Sequence, residues 1–106
     1  MTLSITEKDF GSQVESLLDI YGWTWQHQRP AQTSKGWRTP ISGTKGFPDY
    51  CAARVKDGKR QILFAELKNE TNDPTPEQKQ WLYVTGGFLW RPSMLEDIKR
   101  ILRDGE

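Results

Sequence analysis

Two acidic residues and one lysine mark the part of this sequence where chemistry is most expected. Asp49 closes the segment GFPD at 46–49, and Glu66 and Lys68 belong to the segment FAELK at 64–68. Such a cluster of charges is costly to bury unless a ligand binds there. Mg²⁺ and Mn²⁺ prefer oxygen ligands and are often held by only one or two carboxylates, with water and substrate phosphate completing the shell. These residue types therefore predict a Mg²⁺ or Mn²⁺ site for phosphodiester hydrolysis, in which Lys68 orients or activates the attacking water.

A β-hairpin is the element that would bring the three residues together. Asp57-Gly58 between two apolar runs is a strong signal for a tight turn, with strands expected at 50–55 and 61–67. Side chains two apart on a strand share a face. Glu66 and Lys68 are therefore predicted on one face, flanking an outward-facing Leu67, with Asp49 beside them.

The same residues also have an ordinary structural interpretation. Asp49 after Pro48 is a common turn residue, and Glu66 with Lys68 would make a surface pair on an edge strand. Either feature alone favours this simpler interpretation. Their combination, at hairpin separation and on an apolar strand, favours a site.

The remaining periodicities predict an α/β domain in the order αβββαβα, with a mixed sheet flanked by helices. Thr6 caps a first helix that ends near Gly22, and Thr75 with Gln78 forms a capping box for the second. Ser93 with Glu96 predicts another box at the last helix. Residues 29–48 show neither periodicity and are expected to form a flexible basic loop. The apolar stripe of the first helix is predicted at Phe10, Val14, Leu17, Leu18 and Tyr21, and that of the last helix at Leu95, Ile98, Ile101 and Leu102. Short strands are expected at 23–28 and 88–90.

Length and composition indicate one domain over residues 1–106. The lone Cys51 can form no internal disulfide, and no secretory leader or membrane span is expected, because the first residues lack an apolar core and the sequence has no long apolar run. A cytoplasmic protein without a membrane partner is expected, in a bacterial cell or in the host cytoplasm if phage-encoded. Trp81 and Trp90 are expected in the core.

Charge is unevenly distributed along the chain. The net charge is +1, but residues 29–60 carry eight basic and two acidic side chains. This basic middle is a candidate phosphate-binding surface or, with equal weight, a solvated loop and hairpin. Lys35, Arg38 and Lys45 are candidate DNA contacts, and Trp37 among them could stack on an unpaired base or pack against the loop.

The sequence resembles the VRR-NUC family, the virus-type replication-repair nucleases, in their stand-alone phage and bacterial form. The resemblance covers nearly the whole chain and is carried by these motifs: GFPD at 46–49, AELK at 65–68, TPEQ at 75–78 with Trp81-Leu82, and WRPS at 90–93. It implies a restriction-endonuclease-like PD-(D/E)XK core, a homodimer, and likeness to Holliday-junction resolvases.

Residue roles follow from the resemblance. It makes Asp49 and Glu66 metal ligands, Lys68 the catalytic lysine, and Gln78 a residue near the site. It also implies an acid on the first helix, for which Glu7 is the first choice. The alternatives on that helix are Glu15, with Gln13 nearby. His27 is a candidate phosphate contact, or else a structural histidine.

Four functions are compatible with these features. The first is a Mg²⁺- or Mn²⁺-dependent DNA endonuclease with expected structure-selective cleavage of branched or nicked DNA, because backbone contacts position without reading sequence; duplex DNA remains a possible partner. The second is a catalytically silent DNA-binding module on the same fold. The third, a sequence-specific restriction-type enzyme, has little room for base readout in 106 residues and ranks low. The fourth is a structural protein without nucleic acid, which lacks the steep fall of DNA affinity with rising salt that phosphate contacts produce.

Overall fold

The chain forms an α/β fold with a mixed four-stranded sheet and three α-helices. The computed structural model describes residues 6–28, 31–33, 36–38 and 42–105, with the backbone alone at 31–33 and 36–38. The elements are α1 (Glu7–Ile20), β1 (Thr24–His27), β2 (Ala31–Thr33), β3 (Gly36–Arg38), β4 (Tyr50–Lys56), β5 (Lys59–Leu67), α2 (Pro76–Thr85), β6 (Phe88–Trp90), a 3₁₀ turn (Pro92–Met94) and α3 (Leu95–Asp104).

The predicted order αβββαβα is wrong, because the segment expected to be a structureless loop contains two further strands. β2 and β3 pair antiparallel with each other, with Ala31 opposite Arg38, and form a separate two-stranded sheet. Each strand is only three residues long. Three residues are too few to show the alternation of apolar and polar side chains by which a strand is predicted, so the sequence did not reveal this pairing.

The main sheet has the strand order β1-β4-β5-β6 and places β5 at its centre, as predicted. β4 and β5 form the expected antiparallel hairpin, in which Asp57 and Gly58 both have positive φ, 53° and 78°. Two such residues form the tight turn whose twist matches that of paired strands. β6 runs parallel to β5, and α2 makes the crossover between them.

The core lies between the sheet and the helices α1 and α3. Thr6 caps α1 by accepting a hydrogen bond from the Asp9 amide at 3.0 Å, and the predicted apolar stripe faces inward. The buried apolar side chains are Phe10, Val14, Leu18, Trp23, Tyr50, Ala52, Leu63, Ala65, Leu67, Trp90, Ile98 and Leu102. Leu67 is only 3% exposed, so the prediction that it faces outward is wrong. It shares the core face with Leu63 and Ala65, which leaves Glu66 on the face near α2.

Two further predictions about local packing are wrong. The Ser93 hydroxyl does not cap α3, because it donates to the Glu70 carboxylate at 3.0 Å, and Met94 occupies the N-cap position. Trp81 lies half-buried outside the core cluster, since its ring contacts Phe47. The capping box at α2 is confirmed, and Trp90 is fully buried as expected. Among the described residues, no helix has the length and apolar character needed to cross a membrane.

Candidate active site

The hairpin register brings Asp49 next to the residues at the end of β5. Tyr50 pairs with Ala65, so Asp49, one residue before β4, stands beside Glu66. The Leu67 amide donates to Oδ2 of Asp49 at 2.9 Å, and the Asp49 carbonyl accepts from the Gln28 amide at 2.8 Å. Asp49 is therefore held on both sides by backbone groups, and the predicted juxtaposition with Glu66 is present.

The residues before Asp49 pack directly on α2. Gly46 has φ 95°, and a Cβ there would lie 2.8 Å from the backbone carbon of Glu77. Phe47 meets the Trp81 ring edge-on with centroids 5.0 Å apart, and Pro48 is fully buried. Each residue of GFPD thus has a structural role: Gly46 allows the close approach to α2, Phe47 packs on Trp81, and the buried Pro48 precedes Asp49.

Glu66 is the buried carboxyl group of the site, with 2% of its surface exposed. Its Oε2 accepts from Nε2 of Gln78 at 3.2 Å and lies 3.9 Å from Nζ of Lys68. Its Oε1 is buried without a hydrogen-bond partner. Gln78 and Lys68 thus both approach Oε2, and Oε1 is left as a buried oxygen without a donor.

The environment of Glu66 strongly favours its protonated form. Burial, followed by the charge of Asp49 and a hydrogen bond with it, raises the pKa of Glu66 to about 8, although Lys68 acts in the opposite direction. A second positive charge beside the two carboxylates would reverse this effect. A divalent cation fits, because hard cations take carboxylate oxygens and retain water in the rest of their shell.

Gln78 forms the predicted capping box and also contacts Glu66. Its side-chain Oε1 accepts from the Thr75 backbone amide at 2.8 Å, and its backbone amide donates to the Thr75 hydroxyl at 3.2 Å, which completes the capping box. At the same time its Nε2 reaches Glu66. The capping bonds fix the amide group, so that Nε2 is presented to the carboxylate.

An open cleft between α1 and the ends of β1, β4 and β5 exposes Asp49 to solvent. Glu7, Lys8, Glu15, His27 and Tyr50 are among its lining residues. Glu7 is exposed, while Glu15 is half-buried and accepts a hydrogen bond from the Tyr50 hydroxyl. Both acids proposed for the first helix therefore lie on the cleft, and Glu15 is the deeper. Gln13 is exposed and is not among the residues that line the cleft.

Tyr50 is a buried cleft residue that the sequence interpretation missed. The residue is 1% exposed, and its ring stacks on His27 with centroids 4.3 Å apart; Nδ1 of His27 lies 3.4 Å from the Glu15 carboxylate. A Cβ at Gly11 would lie 3.3 Å from the Tyr50 hydroxyl. Gly11 on the inward face of α1 was the available signal, because a glycine there makes room for a neighbouring group.

The basic segment divides into different roles. Arg54 donates to the carbonyls of Tyr21 at 2.9 Å and Arg103 at 3.0 Å, and Lys56 reaches the Arg103 carbonyl at 2.7 Å. Arg54 and Lys56 therefore donate to the carbonyls at the C-terminal ends of α1 and α3, where positive charge is favourable. Lys45 is 74% exposed and lies 3.8 Å from Glu77. Lys35 and the side chains of Trp37 and Arg38 fall outside the described residues.

The described residues contain no group of three or more His, Cys, Asp or Glu side chains placed to hold a metal. Among these residues, the acidic part of the candidate site is thus the pair Asp49 and Glu66. Comparison with known proteins adds no relative: no family model, curated protein or solved structure matches the chain.

Proposed function

We propose that this protein is a Mg²⁺- or Mn²⁺-dependent DNA endonuclease with a PD-(D/E)XK-type core of the VRR-NUC kind. The observation that carries the proposal is the pairing of Asp49 with the buried, half-unpartnered carboxyl of Glu66, with the Lys68 ammonium 3.9 Å from Glu66. A structural carboxyl pair gains nothing from such a position. A cation site gains two ligands and a nearby positive group.

Each site residue has a distinct task in this proposal. Asp49 and Glu66 would hold the cation, which supplies an activated water and neutralises charge on the scissile phosphate. Lys68 would orient that water or stabilise the charge that develops on the phosphate. Gln78 keeps Oε2 of Glu66 occupied by a donor, which leaves Oε1 for the cation. Glu7 or, as the alternative, Glu15 would be the acid that the first helix contributes to the site.

The substrate class is DNA recognised through its backbone. Lys45 is the exposed cation on the loop packed against α2, and it is the described candidate for a phosphate contact. Backbone contacts position a nucleic acid without reading bases, so we propose selectivity for branched or nicked DNA. A homodimer would place two such sites on a four-way junction, whose strands must be cut symmetrically.

Cleavage assays test the proposal directly. Supercoiled plasmid and a synthetic four-way junction are incubated with Mn²⁺, Mg²⁺ or chelator, and wild type is compared with Asp49→Asn, Lys68→Met and the control Lys99→Met. Lys99 is a partly exposed lysine on α3, paired with Glu96. We expect metal-dependent cutting by wild type and the control, and loss of cutting in both site variants.

The outcomes also separate the second candidate function. A folded wild type that cuts neither DNA with either metal contradicts the nuclease proposal. Salt-dependent DNA binding by such a protein would identify a silent binding module, because phosphate contacts weaken steeply as salt rises.

A further inference from the structure

Arg91, from the motif WRPS, is bonded to the loop that follows Lys68. The loop at 69–73 joins β5 to α2, and both elements carry site residues. The Arg91 guanidinium donates to the carbonyls of Asn69 and, at 2.7 Å, of Asn72, and reaches Oδ1 of Asp73 at 3.3 Å. One side chain therefore binds three points of the connection.

A second contact joins the same two segments. The Glu70 carboxylate accepts from the Ser93 amide at 2.6 Å and from the Ser93 hydroxyl at 3.0 Å. Within the loop, Oδ1 of Asn69 accepts from the Asn72 amide at 2.7 Å. The motif at 90–93 thus fixes a loop with few apolar contacts of its own.

Lys68 lies immediately before the first residue that Arg91 holds. Its amide donates to the Trp90 carbonyl at 3.0 Å, which extends the pairing of β5 with β6 by one bond. Its side chain is 19% exposed and directed to Glu66. Arg91 is equally shielded, also at 19% exposure, and its charge-assisted bond to the Asn69 carbonyl is partly buried, whereas Asp73 is exposed.

We propose that Arg91 is a positioning residue for Lys68. By tying the Asn69 and Asn72 carbonyls to the end of β6, it fixes the backbone from which the Lys68 side chain extends toward the carboxylate pair. Arginine suits this task because its planar group presents several donors in a fixed arrangement, which lysine cannot reproduce. The effect on cleavage rests on the proposed nuclease function, whereas the effect on Lys68 itself does not.

Two measurements on Arg91→Gln, Arg91→Lys and the control Arg100→Gln test this role. The first is the rate of acetylation of Lys68 by an amine-reactive ester on the metal-free protein, followed by mass spectrometry with Lys99 as internal reference. We expect a several-fold faster reaction of Lys68 in Arg91→Gln, a smaller increase in Arg91→Lys, and none in Arg100→Gln. Arg100 lies on α3, half-exposed beside Asp97.

The second measurement is cleavage, at a temperature where thermal melts show every variant folded. A misplaced lysine is expected to lower kcat about 10- to 100-fold. KM for DNA and Mn²⁺ affinity should remain unchanged, because the Leu67 amide fixes Asp49 and Glu66 lies inside β5, whereas Lys68 follows the end of that strand. A role limited to folding would lower the melting temperature without this split between kcat and KM.

Each outcome decides one proposal. Equal acetylation of Lys68 in both Arg91 variants and in Arg100→Gln would overturn the positioning role. If Arg91→Gln does not fold, Arg91→Lys provides the comparison, since it retains the charge and can still bind one carbonyl. If wild type lacks nuclease activity but Lys68 acetylation rises as expected, the positioning role stands and the nuclease proposal fails.

Discussion

Replacing Glu66 with glutamine should make the metal-free protein more stable, and increasingly so as pH rises. Glutamine keeps the shape of the side chain and its contact with Gln78 but removes the charge that forms beside Asp49. The folded protein binds the Glu66 proton more tightly than the unfolded chain, since the pKa rises from 4.5 to about 8 on folding. Its contribution to wild-type stability is thus fully present below the unfolded pKa and is lost as pH rises through the folded one.

The magnitude follows from the size of this change. The rise of the Glu66 pKa from 4.5 to about 8 corresponds to a decrease on the order of 5 kcal/mol in the wild-type free energy of unfolding, once the pH has passed both values. Between about pH 5.5 and about pH 8.5, the advantage of Glu66→Gln over wild type should therefore grow by about 3 kcal/mol. Such a change is large against the total stability of a small domain.

Urea denaturation in the presence of chelator measures the effect. Wild type, Glu66→Gln and the control Glu96→Gln are unfolded at both pH values, and the free energies of unfolding are compared. Glu96 is a carboxylate 88% exposed, so its replacement should produce no comparable pH dependence. Adding Mg²⁺ at the higher pH should stabilise wild type and leave Glu66→Gln unchanged, because a ligand stabilises only the state that binds it.

A stability difference between Glu66→Gln and wild type that is the same at both pH values would refute the reasoning. It would mean that the Glu66 carboxyl ionises as readily in the folded protein as in the unfolded chain. An equal response of wild type and Glu66→Gln to Mg²⁺ would separately exclude Glu66 as a ligand.

Two other substitutions test the surroundings of the site. Tyr50→Phe removes only the hydroxyl that donates to Glu15 and should lower the free energy of unfolding by about 2 kcal/mol. Tyr83→Phe, at an 84% exposed position, is the control. If Tyr50→Phe and Tyr83→Phe unfold at the same urea concentration, the expectation is wrong. Gly46→Ala meets the backbone of Glu77 and should cost more than Gly43→Ala, which shares a positive φ but has open space. With about 1–3 kcal/mol expected for strain alone, matching losses in the two variants would show that the contact with α2 is unimportant.

Short-range patterns in the sequence determined most of the elements. The stripe of α1, the Asp57-Gly58 turn, the capping box at Thr75 and the strand at 88–90 each follow from residues a few positions apart, and each appears as predicted. The pairing of Asp49 with the end of β5 was also predictable, because hairpin register depends on turn position and strand length.

Contacts between residues distant in the chain were decided by the tertiary structure alone. Leu67 faces the core because α1 and α3 cover that side of the sheet, and a period of two cannot show which face is covered. Ser93 binds Glu70 instead of capping α3. Arg54 donates to carbonyls at the ends of α1 and α3 instead of contributing to a basic surface. The partners of Tyr50 and Arg91 likewise come from other elements. Local sequence specifies which groups a side chain offers, but the packing of helices on the sheet decides which partner each group meets.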